Sequence, residues 1–173
     1  SQFVDRNIIA TESTSSRDIE DRFADELYFE DFGATGAGVL SDSDAIKAAI
    51  EWVSSKQGRK ISGRRGSVYA ISEGVVVPWD GKFLDESSAC TIDMSNCIVV
   101  PLVDNITAFK SSRNYVTAYC PTVENRNNKD GITAFAIAPE DYTQSVTKVS
   151  QMYNSFFNPV SRNCNTHFRF QPG

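Results

Sequence analysis

Residues 29–50 (FEDFGATGAGVLSDSDAIKAAI) constrain the fold of this chain more than any other segment. In this segment a short apolar strand, a loop with three glycines and a Ser/Asp helix start follow one another directly. Glycine adopts positive φ angles without steric cost, so Gly33, Gly36 and Gly38 should include at least one residue with positive φ. The segment therefore predicts a strand that turns sharply into a helix.

The helix after the glycine loop is predicted from the spacing of its apolar residues. Four of them recur at intervals of three and four and form one apolar stripe: Ile46, Ala49, Ile50 and Val53. Ser41 followed three residues later by Asp44 is a variant of the capping box, which predicts that the helix begins there. Gly58 predicts that the helix ends before it.

This segment resembles the start of a right-handed parallel β-helix of the pectate-lyase-like type. In that family a pattern of the form DFGAxGDGxxDDTxAIxxAI leads from a first strand into a helix that caps the N-terminal end of the solenoid. The matching positions run without a gap: Asp31, Phe32, Gly33, Ala34, Gly36, Gly38, Asp42, Ala45, Ile46, Ala49 and Ile50. Ala37, Ser41 and Asp44 depart from the pattern, which casts doubt on an ion or polar network in the loop.

The resemblance implies a structural motif rather than a catalytic one for seven of these positions: Phe32, Gly33, Gly36, Gly38, Asp42, Ile46 and Ile50. Phe32 is expected to be buried together with the apolar face of the helix. The helix is expected to lie across the open end of a parallel stack of strands, because exposed strand edges at that end need a cover.

The residues before the motif resemble the leader of bacteriophage tail spikes and tail fibres. The resemblance rests on an RxxxDRFAD-like stretch: Arg17, Asp21, Arg22, Phe23, Ala24 and Asp25. In physical terms, Ser15 and Asp18 can cap a short helix with Ile19, Phe23 and Leu27 on one face. The alternative is an ordinary acidic surface helix that leads into a globular domain.

A tail spike or fibre protein is made in the host cytoplasm and is carried in the virion, where it attaches to bacterial surface polysaccharide. The resemblance therefore implies host attachment and tail assembly, a homotrimer, and contacts with other tail or baseplate proteins. One alternative is a polysaccharide depolymerase, either a glycoside hydrolase or a lyase, that uses paired carboxylates. A second is a structural adaptor that joins the tail to another spike. The spacing selects no catalytic pair among the carboxylates of the β region: Asp93, Asp104, Glu124 and Asp130.

Charge and composition exclude some kinds of partner. The formal net charge is −5, which argues against a groove for nucleic acid. A basic run is the exception, and it is either a solvated turn or a contact for an anionic polysaccharide or acidic protein: Arg59, Lys60, Arg64 and Arg65. No apolar run is long enough to predict insertion into a membrane.

Cys90 and Cys97 lie in a strand-like segment and are expected to pack in the core as small apolar side chains. Cys90, Cys97, Cys120 and Cys164 are scattered without a CxxC spacing, and His167 is the single histidine of the sequence. Neither a metal site nor a cofactor site is predicted. A Cys/His hydrolase built on His167 has no local signature to support it.

The chain after the helix is mainly β in pattern, and short strands at short intervals are typical of solenoid coils. The predicted strands are Val68–Ile71, Val75–Val77, Thr91–Asp93, Ile98–Val100, Ile106–Phe109, Tyr115–Tyr119 and Ile132–Ile137. The segment ISGRRGSVYAISEGVVVP resembles the first coil of the β-helix family. A small α+β domain with an antiparallel sheet is the alternative.

Three regions are predicted: a leader over 1–27, the cap helix and first coils over 28–138, and a C-terminal helix with an aromatic segment over 139–173. The C-terminal helix is expected over Tyr142–Phe157, with Thr166–Phe170 as a last strand. A helix at that place would interrupt the coils. Four aromatic side chains are expected either in the core or on a surface patch that packs on another subunit: Phe156, Phe157, Phe168 and Phe170.

Overall fold

The computed structural model describes residues 25–81, 87, 89–138 and 153–170, and the backbone of two short strands, β1 (Asn7–Ile8) and β2 (Arg17–Asp18), which pair antiparallel. The leader helix is wrong where the chain is described, because Arg17–Asp18 is a strand and Leu27 lies in another strand, Glu26–Tyr28. Leu27 pairs in a parallel sheet and packs against the core, and this tertiary packing overrides the helical spacing. Ile19 and Phe23 lie outside the described residues.

The remaining secondary structure is a run of short strands with one 3₁₀ turn and one α-helix near its start. The 3₁₀ turn is Phe29–Phe32 and the helix, α1, is Ser43–Ser54. The strands are β3 (Glu26–Tyr28), β4 (Ala37–Ser41), β5 (Lys60–Ser62), β6 (Val68–Ile71), β7 (Val75–Val77), β8 (Cys90–Asp93), β9 (Ile98–Pro101), β10 (Thr107–Ser111), β11 (Val116–Tyr119), β12 (Thr122–Glu124), β13 (Thr133–Ile137), β14 (Ser155–Phe157), β15 (Val160–Arg162) and β16 (Thr166–Phe170).

From β3 onward these strands form three sheets in which every pairing is parallel. The strand orders are β14-β11-β8-β5-β3, β15-β12-β9-β6-β4 and β16-β13-β10-β7. The chain therefore visits the three sheets in rotation, and each circuit places one coil on the coil before it. The predicted fold class, mainly β with a parallel solenoid, is confirmed, and the antiparallel alternative is wrong for β3 to β16.

The core lies inside the three sheets, where residues at the same position in successive coils stack on one another. One buried column contains Ile61, Ile92 and Ala118, a second contains Tyr69, Val99 and Val123, and a third contains Val75, Phe109 and Phe135. A strand of three to five residues supplies only one or two inward side chains. Burial of its apolar residues therefore depends on the coils above and below it.

The helix α1 closes the N-terminal end of this stack, as predicted. It buries the predicted stripe, Ile46, Ala49, Ile50 and Val53, and packs on β5, β7, β8 and the 3₁₀ turn. Because the third sheet begins only at β7, α1 occupies the place of a third strand in the first coil. Phe32 is less buried than predicted. Phe32 is half-buried beside Trp52, and Phe29 is the fully buried ring of that turn.

The ends of α1 differ from the predicted ends by a few residues. Asp42 is the N-cap residue, and Ser41 is the last residue of β4. The Ser41 hydroxyl still accepts a hydrogen bond from the Ser43 N–H at 3.2 Å, so it meets one of the unpaired donors at the helix start. The helix ends at Ser54, and Gly58 adopts φ +86° in the turn that follows.

A buried arginine connects the cap to a later coil. Arg113 follows β10, and its Nη1 donates to the carbonyl oxygen of Ser54 at 3.0 Å. Its Nη2 forms an ion pair with Asp80 at 3.1 Å. Because Arg113 is buried, this cation stabilises an unpaired carbonyl at the C-terminal end of α1 from a site shielded from solvent.

The predicted C-terminal helix is wrong in its described part. Ser155–Phe157 is the strand β14, and residues 139–152 lie outside the described part of the chain. The ring of Phe156 packs edge-on against Phe109 and Phe168, with centroid distances of 5.4 and 5.7 Å, and these core contacts favour the strand. The strands β14, β15 and β16 each extend one of the three sheets, so the coils continue. The last strand, Thr166–Phe170, is confirmed.

Candidate functional site

The glycine loop is held by one buried carboxylate. Gly33, Gly36 and Gly38 have φ angles of +98°, +63° and +74°, which confirms the prediction of positive φ. Asp42 is 4% exposed, and its two oxygens accept hydrogen bonds from the N–H groups of Thr35 at 2.7 Å and Gly36 at 3.0 Å. A polar network therefore exists in the loop despite the departures from the family pattern, and its role is structural.

The strand that follows this loop carries two exposed apolar residues. The register between β4 and β6 shifts within β4, which is the signature of a bulge. Gly38 lies at this bulge with no room for a side chain, since a Cβ there would be 2.7 Å from Cγ1 of Val68. Val39 and Leu40 are 72% and 73% exposed in β4, which is the edge strand of its sheet among the described residues. We refer to these two residues as the edge pair.

A shallow groove of about 510 Å³ lies near the same end of the solenoid, and we call it the corner groove. It is lined by Tyr28, Glu30, Asp31, Arg64 and Arg65. Both arginines are exposed, and the Tyr28 ring is 44% exposed. The groove thus combines two guanidinium groups, two carboxylates and one accessible aromatic face.

Glu30 forms a rigid wall of the corner groove. Its Oε1 accepts hydrogen bonds from the Tyr69 hydroxyl at 2.7 Å and the Ser67 hydroxyl at 3.2 Å. Burial and the hydrogen bond to Glu30 raise the pKa of Tyr69, so its hydroxyl keeps the proton that it donates. The same hydroxyl accepts a hydrogen bond from the Arg64 N–H at 3.1 Å. These contacts fix the backbone of the arginine turn relative to Glu30.

The structure divides the predicted basic run into two halves. Arg59 lies over the ring of Trp52 at 4.7 Å and donates to the Trp52 carbonyl oxygen at 2.8 Å. Lys60 forms ion pairs with two carboxylates of its own sheet, at 3.5 and 3.7 Å. Arg64 and Arg65 are the members of the run that line the corner groove, so they carry its positive charge.

Three of the four carboxylates considered for catalysis have a local contact, and Asp130 takes part in one of these contacts through its backbone N–H. Asp93 accepts a hydrogen bond from the Ser95 hydroxyl at 2.6 Å, and Glu124 accepts one from the guanidinium two residues further along at 2.9 Å. Asp104 accepts a hydrogen bond from the backbone N–H of Asp130 at 2.9 Å, which joins the turns of two successive coils. These contacts give Asp93, Asp104 and Glu124 a role in a turn or on the surface, and they identify no acid–base pair.

Cys90 and Cys97 pack in the core, as predicted. Cys90, Cys97 and Cys120 are buried, and Cys164 is half-buried. Burial raises the pKa of Cys97 and of Cys120 to about 12, and it raises those of Cys90 and Cys164 as well. At neutral pH these groups are protonated thiols, which are poor nucleophiles and poor metal ligands. Within the described ranges no cluster of three or more His, Cys, Asp and Glu residues is placed to hold a metal ion.

Within the described residues, the other end of the solenoid has no cap. The strands β14, β15 and β16 each pair with a strand of the preceding coil on one side, and each is the last strand of its sheet. Phe156 and Phe168 are half-buried there and pack against the core, whereas Phe157 and Phe170 are 46% and 58% exposed. The four aromatic residues thus divide between the two predicted environments. We refer to this surface as the open end.

A known structure shares this architecture. A solved chain described as Geobacillus virus E2 ORF18 superimposes on 70% of this chain with a TM-score of 0.50 and 16% sequence identity. The superimposed part makes up 26% of that viral chain, so this chain spans about a quarter of its length. At this identity the likeness shows a common fold. No protein-family model and no curated protein sequence matches the chain. In the described residues, no helix has the length and apolar character needed to cross a membrane.

Proposed function

We propose that this chain is part of a bacteriophage tail spike or tail fibre that attaches to bacterial surface polysaccharide and takes part in tail assembly. The observation that carries the proposal is the parallel β-helix, closed at its N-terminal end by the glycine loop and α1. The fold shared with a Geobacillus virus E2 chain and the resemblance of the leader both support a phage protein.

The corner groove is the polysaccharide contact in this proposal. The guanidinium groups of Arg64 and Arg65 suit the carboxylate or phosphate groups of acidic sugars, since arginine binds them in a planar, two-pronged geometry. The exposed carboxylate of Asp31 offers acceptors for sugar hydroxyl groups, and Tyr28 offers an apolar face for a sugar ring. All five residues surround one depression, so a single sugar unit can reach both charges and the ring.

The test is binding of the purified chain to a panel of capsular polysaccharides and O-antigens. We expect Arg64→Ala with Arg65→Ala to weaken binding of an acidic polysaccharide at least tenfold. The control is Lys56→Ala with Arg169→Ala, which removes the same charge from exposed positions outside the groove. Equal losses in the two variants, or no binding by the native chain, would contradict the proposal. A reducing-sugar assay on the same samples distinguishes binding from cleavage.

A homotrimer is the second element of the proposal. The edge pair supports it, because two large apolar side chains at a free sheet edge favour burial against another chain. Light scattering is expected to give three times the chain mass of 19.1 kDa. Val39→Ser with Leu40→Ser should shift the mass toward one chain, while Val103→Ser, another exposed valine, should leave it unchanged. A mass near one chain at micromolar concentration, unchanged on dilution, would contradict trimerisation.

A further inference from the structure

We propose that, in the homotrimer, the edge pair of each copy inserts into a groove between α1 and β7 of the next copy. This contact rests on the trimer proposed above and identifies the two surfaces that form it. A three-fold ring joins one surface of each chain to a different surface of its neighbour. Each copy therefore needs a second surface that receives the edge pair, Val39 and Leu40.

The receiving surface is a concave site that we call the helix groove. It has a volume of about 320 Å³ and lies where α1 packs on β7. Its floor and walls are aliphatic: Ile46, Ile50, Val75, Val76 and Pro78. Val76 and Pro78 are half-buried, so part of their surface is accessible from outside. An apolar side chain that enters the groove would therefore contact both a helix and a strand.

The charges around the helix groove favour an uncharged occupant. Its rim carries Lys47, Glu51 and Glu73, and all three are exposed. A charged occupant would lose water at the aliphatic floor, which offers no polar group in exchange. Residues 32–41, which include the edge pair, contain no charged side chain. This segment can thus enter the groove while the three rim charges stay hydrated.

The edge pair and the helix groove lie on the two sides of one corner of the solenoid. The corner is the turn between β6 and β7, where the Ser72 hydroxyl lies 2.8 Å from that of Ser41, the last residue of β4. The hydroxyl of Ser43, which lines the groove, accepts hydrogen bonds from the N–H groups of Ser72 at 2.9 Å and Glu73 at 3.1 Å. Three copies side by side about one axis would place their first coils at the same level. The edge pair of one copy is then level with the helix groove of the next.

The helix groove differs from the corner groove in the kind of ligand that it suits. Its described lining residues include neither an aromatic ring nor an arginine, the two features that fit the corner groove to an acidic sugar. An aliphatic floor favours an aliphatic occupant, since sugar hydroxyl groups would lose their hydrogen bonds there. Val39 and Leu40 are the most exposed of the large apolar side chains in the described part of the chain. The edge pair is therefore the occupant that the chain itself supplies.

Disulfide cross-linking tests the contact directly, because the bond forms only between Cβ atoms about 4 Å apart. Leu40→Cys and Val76→Cys are made in two separate chains with different affinity tags, so a bond within one chain is excluded. Both chains also carry Cys164→Ser, which removes the half-buried native thiol. The chains are produced in the same cells, oxidised after purification and separated by non-reducing electrophoresis. The control replaces Val76→Cys with Val103→Cys, at an exposed valine outside the groove.

We expect cross-linked pairs that contain both tags, at least tenfold more abundant than in the control. Light scattering on the native chain separates the two levels of the proposal. A native mass of three chains without this cross-link would overturn the contact and leave the trimer in place, whereas a native mass of one chain would overturn both. Cross-links between two Leu40→Cys chains would also overturn the contact, because the edge pairs would then meet one another. Polysaccharide binding at the corner groove is independent of these outcomes.

Discussion

The two ends of this solenoid differ in how far the inward side chains of the end coil are covered. At the N-terminal end, α1 covers the inward residues, and Asp42 holds the glycine loop that leads into it. At the open end, the rings of Phe156 and Phe168 are half-buried, and β14, β15 and β16 are each the last described strand of their sheet. The comparison teaches that a cap is a separate structural device, because stacking coils alone leaves the last layer partly exposed.

The largest expected effect tests whether the open end is uncovered. Phe135 and Phe168 occupy the same column in successive coils, with ring centroids 6.4 Å apart. Phe135→Ala is expected to lower the free energy of unfolding by about 3–5 kcal/mol, and Phe168→Ala by about 2 kcal/mol, since the second ring is half-buried. Chemical denaturation of the two variants measures the difference. Equal losses would mean that Phe168 is as well covered as Phe135.

The next effect concerns the anchor of the cap. Asp42→Ala removes a buried carboxylate and leaves two backbone N–H groups without their acceptor, so the free energy of unfolding should fall by about 3 kcal/mol. Asp44→Ala is the matched control, because Asp44 is exposed in the first turn of α1, and its change should stay within about 0.5 kcal/mol. If the two variants lose the same free energy of unfolding, the cap does not depend on this carboxylate.

A smaller effect separates backbone conformation from crowding within the glycine loop. Gly33 and Gly38 both have positive φ, but a Cβ has open space at Gly33 and meets Val68 at 2.7 Å at Gly38. Gly33→Ala is expected to cost about 1 kcal/mol and Gly38→Ala about 2 kcal/mol in thermal or denaturant unfolding. The reverse order would show that β4 shifts freely at its bulge.

The smallest effect is on the pH dependence of the free energy of unfolding, and it distinguishes the buried thiols from Cys164 at the open end. Burial raises the pKa of Cys97 from 9.0 to about 12, so above pH 9 the unfolded chain loses a proton that the folded chain retains. The free energy of unfolding should therefore be constant below this range and fall by about 1 kcal/mol for this thiol between about pH 9 and 10. Cys97→Ala should make that slope shallower, and Cys164→Ala should change it less. Denaturant unfolding at several pH values gives the slopes, and identical slopes in all three proteins would contradict the assignment.

The local part of the fold was readable from the sequence. Glycines at the loop and the three- and four-residue spacing of Ile46, Ala49 and Ile50 are short-range signals, and they predicted the cap within a few residues. The predicted ends of α1 were less accurate, because the side chain of Asp42 accepts hydrogen bonds from the glycine loop and not from the helix.

Features that depend on contact between coils were not readable. Lys60–Ser62 and Thr122–Glu124 are short, partly polar strands that exist because neighbouring coils offer them an edge. The spacing of the residues before Ser155–Phe157 predicts a helix there, whereas Phe156 packs into the solenoid core. The corner groove depends on the same kind of contact, because Tyr28 and Glu30 reach Arg64 and Arg65 only after one coil stacks on another.

The contact between Arg113 and the end of α1 also bears on the order of events during synthesis. The guanidinium and the Ser54 carbonyl that it binds are 59 positions apart in the chain. A ribosome adds about 5–20 residues per second, so the helix emerges several seconds before its cation. The cap is therefore expected to reach its final form only after the third coil has left the exit tunnel. Nascent chains arrested before residue 113 should be cleaved by protease at the end of α1 more readily than chains arrested well beyond it.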